Sequence, residues 1–521
     1  MIEEQDLFMK HIRTSGIILH PTSFPGPDGI GDLGPQAYAW IDFLESSGCT
    51  IWQTLPLGPT GYGDSPYQCF SASAGNPYLV SPTLLLDEGY LSPEDFADRP
   101  AFPLHQVDFG AAIPWKLKIL RRAYNNFLAK NGPESPEFRA FCDKNSLWLD
   151  DYASFMALKD ANGGAAWQNW NAELKKHDPA ALEEFNRENA EEVNFHKFMQ
   201  FCFFKQWSNL MHYAHEKGIK IVGDIPIFVS MDSADVWSHP ELFYLDEEGN
   251  PTVVAGVPPD YFSPTGQLWG NPLYRWPKHQ ETGFAWWMDR IRATLKVCDL
   301  IRLDHFRGFG GYWEIPAGNP TAEFGRWVEC PGDAFLQKAL ETFGDLPIIA
   351  EDLGEISQDV SDLRLKYGLP GMKILQFGFG DDANNLFLPS NYEPNFVAYT
   401  GTHDNETITG WFGNADMKSR NFAMKYLNSN GEHFAWDAIR AVWQSVAVYS
   451  IAPLQDFLEL GNEARMNFPG KMFGNWSFRY INSDLTPDLA FRILDLNRTY
   501  NRIPEISSKE HAPVEIYYEK P

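Results

Sequence analysis

Eight short apolar runs, rich in β-branched residues and each closing on a polar or Gly/Pro cluster, recur along the chain: GIILHP (16–21), TIWQTLP (50–56), KIVGDIP (220–226), DLIRLDH (299–305), PIIAEDLG (347–354), KILQFG (373–378), FVAYTGTHD (396–404) and VAVYSIAP (446–453). Between most of them the apolar residues recur at three and four, as in FHKFMQFCFFKQWSNLMHYAHEKG, which stops at Gly218. Eight strands alternating with helices predict an α/β fold, a (β/α)8 TIM barrel, in which chemistry sits at the C-terminal ends of the strands.

The 521 residues are therefore expected to form a single catalytic barrel domain. The gap between the second and third runs is too long for one crossover, which predicts a mostly helical insertion at about 60–217. Within it PWKLKILRRAYNNFLAKNG reads as an amphipathic helix with Pro114 near its start and Gly132 past its end. The stretch at about 253–276 is rich in proline and glycine and has no helical period, so it reads as a loop. Gly29, Gly31 and Gly34 match a dinucleotide fingerprint, but the next strand ends in Thr54, Leu55 and Pro56 rather than in an acid for the ribose. Glycines of a tight first βα loop explain them better.

A formal charge of -27 argues against nucleic acid, whose binding needs a basic surface to release counterions, and against an anionic membrane. A neutral ligand fits best, and 18 Trp with 38 Phe suggest that something flat and partly apolar is gripped. The six cysteines form no C-x-x-C pair and mostly sit among apolar residues, which points to reduced thiols and a cytosolic compartment. The N-terminus shows no apolar signal core, and no apolar run reaches the roughly 18 residues that would span a bilayer.

Asp304, Glu351 and Asp404 each close a predicted strand. A carboxylate there is costly to desolvate unless something answers its charge. Side chains alternate along a strand, so Arg302 shares a face with Asp304 and should keep it ionised, as a nucleophile requires. Glu351 emerges from an apolar run with no cation beside it in sequence, which should raise its pKa toward that of a general acid. One low-pKa and one high-pKa carboxylate on neighbouring strands meet the needs of glycoside chemistry. A metal-dependent hydrolase would want His-x-His on the first strand, which offers only His20; a mixed site using His305 and His403 is the remaining metal alternative. A non-catalytic carbohydrate-binding protein would be expected to have lost one of the three acids.

Around these residues the chain resembles glycoside hydrolase family 77, the 4-α-glucanotransferases or amylomaltases, also called disproportionating enzymes. The likeness runs nearly end to end through GIILHPTSFPGPDGIGDLG, GYGDSPYQCFSASAGNPYLVSP, GDIPIFVSMDSADVW, VAGVPPDYFSPTGQLWGNPLYRW, IRLDHFRGF, IIAEDLG, TGTHDNET and ARMNFPGKMFGNWSFR. It implies that Asp304 is the nucleophile, Glu351 the acid/base and Asp404 the transition-state stabiliser, with no metal and no cofactor. It further implies glucan contacts from Arg302, His305, His403, Ser65, Tyr67, Asp224 and Asn475. Tyr261, Phe262 and Trp269 are expected to overhang the cleft, stack on glucose and exclude water. The implied activity is transfer of α-1,4-glucan segments between maltooligosaccharides through a covalent glucosyl-aspartate. The carboxylates alone serve hydrolysis equally well, so transfer rests on the overhanging loop and the resemblance.

Overall fold

The computed structural model describes residues 13–503 apart from 260–262, 355, 381 and 472. All eight apolar runs form parallel strands: β1 (Thr14–Ile18), β2 (Ile51–Gln53), β3 (Lys220–Ile225), β4 (Leu300–Leu303), β5 (Ile348–Ala350), β6 (Gly371–Ile374), β7 (Phe396–Tyr399) and β8 (Tyr449–Pro453). β1 to β5 pair in chain order, β6 to β8 do likewise, and β8 pairs with β1, which leaves β5 and β6 as the two edges. Between β5 and β6 the Ala350 N–H donates to the Pro370 carbonyl at 2.8 Å, drawing the remaining edge together. The sheet is thus nearly closed, as an eight-stranded barrel requires to hide its edges.

Alternation along the strands divides the interior into two levels. Ile18, Ile51, Val222, Ile349, Val397 and Ile451 form an apolar plug. Two residues further along five of these strands the same face carries His20, Gln53, Asp224, Glu351 and Tyr399. Hydrocarbon thus fills the lower barrel, while polar groups collect at its mouth and bond to one another, as Tyr399 does to Gln53 Oε1 at 2.9 Å.

Residues between β2 and β3 include the long helices α1 (Phe109–Ala129), α2 (Pro136–Ala161) and α3 (Ala190–Glu216). α1 begins five residues before Pro114, because Asp108 caps it by accepting from Ala111 N–H. Proline therefore sits inside the helix, where it forgoes the bond to the Gly110 carbonyl. Lys116, fully buried on α1, reaches Asp32 at 3.0 Å and the Val80 carbonyl at 2.8 Å, tying the helix to the first βα loop. In that loop a Cβ on Gly31 would lie 2.1 Å from the Pro21 carbonyl, and Gly29 has φ +80°, so close packing and a left-handed turn account for both glycines. α3 packs on α2 at one end and is the crossover to β3 at the other, where the Trp207 indole meets Trp52 and donates to the Val297 carbonyl at 3.0 Å.

The stretch at 253–276 departs from its reading as a loop. Val253–Val257 and Gln267–Pro272 are antiparallel strands, joined by Gly311–Pro316 and Arg326–Glu329 into a second, four-stranded sheet. The central partner of VVAGV lies more than fifty residues on, beyond β4, where no local period reveals it. Gly256 permits the close approach of the first two strands, since a Cβ there would stand 2.3 Å from the Gln267 carbonyl. The expected glucan contacts Tyr261 and Phe262, which fall between these two strands in sequence, lie outside the described residues.

Candidate active site

The register of β3 against β4 places Asp224 opposite Arg302, and that of β4 against β5 places Arg302 opposite Ile349. The Arg302 guanidinium, almost wholly buried, lies 2.7 Å from Asp224 Oδ2 and 2.9 Å from Asp304 Oδ1. The shared face expected of Arg302 and Asp304 is present, with a second carboxylate that spacing alone did not reveal. Two anions outweigh the desolvation of Arg302, so its pKa stays well above the ordinary value.

Directly after β4 the backbone turns left-handed at His305, with φ 49°. Such a conformation is uncommon for a residue with a Cβ and points here to a site under constraint. The turn aims the His305 N–H at Glu351 Oε2, 2.7 Å away, while Leu353 N–H meets Oε1 at 3.0 Å. Phe306 N–H also donates to the Glu351 carbonyl at 3.0 Å, so the end of β4 holds Glu351 by backbone and side chain alike. Burial is the largest influence on this carboxyl and raises it to about 8, against the opposing pull of Arg302 and the two N–H donors and with Asp304 adding to the rise. No cation neighbours Glu351 in sequence, but Arg302 on the adjacent strand reaches it electrostatically; desolvation still decides the direction.

Asp404 follows β7. His403 Nε2 lies 3.3 Å from its Oδ2, and the Asn467 amide donates to its Oδ1 at 2.6 Å. Burial pushes this carboxyl up, but His403, Asn467 and Arg302 together outweigh it and hold it well below the usual carboxylate range. The Tyr67 ring stacks on His403 with centroids 5.2 Å apart, and its hydroxyl donates to Asp224 Oδ2 at 2.9 Å. A continuous chain of contacts therefore runs from Asp304 through Arg302, Asp224, Tyr67 and His403 to Asp404. Asp304 also acts electrostatically on Glu351, and Arg302 on both Glu351 and Asp404, so the three acids share one field.

Exposure separates the acids by what they can touch. Asp304 and Asp404 keep 28% and 43% of their side-chain surface accessible, whereas Asp224 keeps none. Asp224 is sealed behind Arg302 and Tyr67, burial raises it to about 6 against the pull of Arg302, and its Oδ1 has no hydrogen-bond partner among the described residues. In this arrangement it braces Arg302 and Tyr67 rather than facing the open cleft.

Trp269 stands edge-on to His305 with centroids 4.9 Å apart, bringing the second sheet over the end of β4, and burial lowers the His305 imidazole to about 4. Ser65 Oγ accepts from the Tyr67 N–H at 3.2 Å, fixing the turn that presents that ring. Asn475 spends both polar ends on its own loop, accepting from Phe468 N–H and donating to the Lys471 carbonyl. Asn467 and Arg465, which sequence reasoning passed over, contact Asp404 directly. They lie about sixty residues from it, and only their place in the ARMNFPGK stretch could have drawn attention to them. Among the described residues, Asp160, Glu192 and His196 on α2 and α3 bring donor atoms within 4.8 Å of one another, and no such trio forms around His305 or His403.

A family model described as 4-alpha-glucanotransferase matches residues 19–484. A 4-alpha-glucanotransferase of Thermus thermophilus is 50% identical over 500 residues, covering 94% of this chain and 99% of that protein. Another from Clostridium butyricum is 46% identical over 490 residues, covering 93% of this chain and 100% of that one. Among solved structures, an amylomaltase from Streptococcus agalactiae in complex with acarbose superposes with a TM-score of 0.91 at 41% identity, covering 94% and 99% of the two chains.

Proposed function

The chain belongs to glycoside hydrolase family 77, the 4-alpha-glucanotransferases, and on that premise we propose that Asp304, Glu351 and Asp404 transfer α-1,4-glucan segments by a retaining double displacement. In the first step Asp304 Oδ attacks the anomeric carbon from the face opposite the leaving glucan. Glu351 gives its proton to the departing 4-oxygen, which leaves as a free chain end. The product is a β-linked glucosyl ester on Asp304. In the second step the 4-hydroxyl of an acceptor glucan loses its proton to Glu351 and attacks the same carbon. The ester bond breaks, an α-1,4 linkage forms, and both side chains return to their starting states.

The observation that carries this reading is the contrast between two carboxyls on adjacent strands. Asp304 lies 2.9 Å from a permanent cation, whereas desolvation raises Glu351 to about 8, so it holds its proton near neutrality. Asp404, anionic and accessible, is suited to accept sugar hydroxyls and to balance the positive charge that develops on the ring. His403 and Tyr67 form one wall of the cleaving subsite, and His305 and Trp269 line its rim.

The same three acids would serve a hydrolase, so the acceptor is decided by access of water. We assign exclusion of water to the Val253–Val257 and Gln267–Pro272 hairpin, which carries Trp269 over the end of β4. Incubation with maltotriose tests transfer. Glucose together with maltotetraose and longer oligomers is the expected outcome, and maltose plus glucose with no longer product would refute it. The substrates are neutral maltooligosaccharides and α-1,4-glucans, in keeping with a charge of -27 that disfavours nucleic acid and anionic membranes. Among the described residues no helix is long and apolar enough to cross a membrane, and all six cysteines are free thiols, which suits a reducing cytosol.

A further inference from the structure

Asp404 depends on groups that the reaction scheme leaves unused. Its Oδ1 receives the Asn467 amide at 2.6 Å, the shorter of its two side-chain contacts. Asn467 is itself held at three points: its N–H donates to the His403 carbonyl at 3.0 Å, its carbonyl accepts from Arg465 Nε at 2.7 Å, and its amide is spent on Asp404. The same Arg465 donates through Nη2 to the Asp404 carbonyl at 2.7 Å, so one guanidinium binds the backbones of both residues together. The pair thus clamps Asp404 through its carbonyl and its Oδ1.

A carboxylate torsion is otherwise broad and two-fold, so an unheld Asp404 would swing between orientations. Because the carboxylate only accepts, the amide nitrogen of Asn467 must face it, and the geometry has one sense. We infer that Asn467 is a positioning residue for the transfer reaction, whose amide fixes the Asp404 carboxylate in the orientation that faces the sugar. This rests on the role assigned above to Asp404. The amide also favours the charged form of Asp404, alongside His403 and Arg302. Asp404 in turn acts electrostatically on Arg465 and Tyr67.

If Asn467 sets orientation, its loss weakens the transition state more than the ground state. Asn467→Ala should lower kcat on maltotriose about 10- to 100-fold with KM within about twofold, the cost of a misplaced catalytic group. In an Asp304→Asn background, which stops turnover, Asn467→Ala should weaken acarbose, whose flattened ring and cationic nitrogen imitate the transition state, about tenfold more than it weakens maltotetraose. Asn467→Gln, which keeps an amide donor, should recover part of the kcat and guards against a folding defect in the alanine variant. Asn475→Ala serves as the control for a loosened loop, because its two bonds hold only the 468–475 segment. An unchanged kcat in Asn467→Ala, or equal losses of acarbose and maltotetraose that match those of Asn475→Ala, would overturn the inference. Asp404→Asn separates the two claims: if that variant turns over normally, the role of Asp404 falls, whereas a dead Asp404→Asn beside a fully active Asn467→Ala removes only the role of Asn467.

Discussion

Arg302 neutralises two carboxylates that face each other across β3 and β4, so it cannot be replaced by an apolar residue of similar length without leaving both uncompensated. Arg302→Met should cost about 3–5 kcal/mol, the usual penalty for breaking a buried ion pair, read as a lower urea midpoint, and should abolish turnover. Glu351 makes a prediction about pH. In the proposed role of proton donor for the first step it must be protonated, so kcat/KM should fall as pH rises through about 8, and Glu351→Gln should remove turnover altogether. The same shift affects stability. Between roughly 4.5 and 8 the folded chain keeps a proton on Glu351 that the unfolded chain has released, so this group's contribution to stability declines as pH rises across that window; urea midpoints of the Gln variant should therefore depend less on pH there. At this scale Arg302 and Asp304 were legible because period-two alternation is a local rule. Asp224 and Tyr67 were named only through the family resemblance and Asn467 not at all, because the contacts of Asp224 with Arg302, of Tyr67 with Asp224 and of Asn467 with Asp404 join distant parts of the chain that no local residue pattern announces.

The eight strands were legible because each is a short apolar run with a polar stop, whereas the second sheet was not. Its strands combine glycine, proline and exposed side chains, and they stand as strands only through pairing with one another. The start of α1 was misjudged for a related reason: Pro114 resembles a first-turn proline, but the capping bond made by Asp108 decides where the helix begins. α1 is then fastened to the barrel by Lys116, whose ammonium is fully buried against Asp32 and the Val80 carbonyl. Lys116→Ala removes the charge and leaves Asp32 unpaired, so chemical denaturation should register a loss of about 3–5 kcal/mol, with the maltotriose product pattern of the remaining folded enzyme unchanged.

The whole molecule is organised by the boundary between the apolar plug and the polar mouth of the barrel. Every predicted catalytic acid lies above that boundary, Asp304 and Glu351 directly after their strands and Asp404 in the loop that follows β7, which is why strand ends in the sequence located them even though the insertion and the second sheet surround the mouth. The two structures that crowd the mouth are attached differently. The second sheet grows from loops on either side of β4, whereas the insertion runs into the barrel through α3, whose 27 residues pack on α2 at one end and lead into β3 at the other. Heating followed by circular dichroism and by tryptophan fluorescence should give coincident transitions, since Trp207 on α3 packs against Trp52 on β2 and neither part can unfold without stripping that contact from the other. A helix owned jointly by two regions leaves no seam at which either could be lifted away. Attempts to graft this insertion onto another scaffold, or to trim it for a smaller enzyme, should therefore take a stave out of the barrel with it.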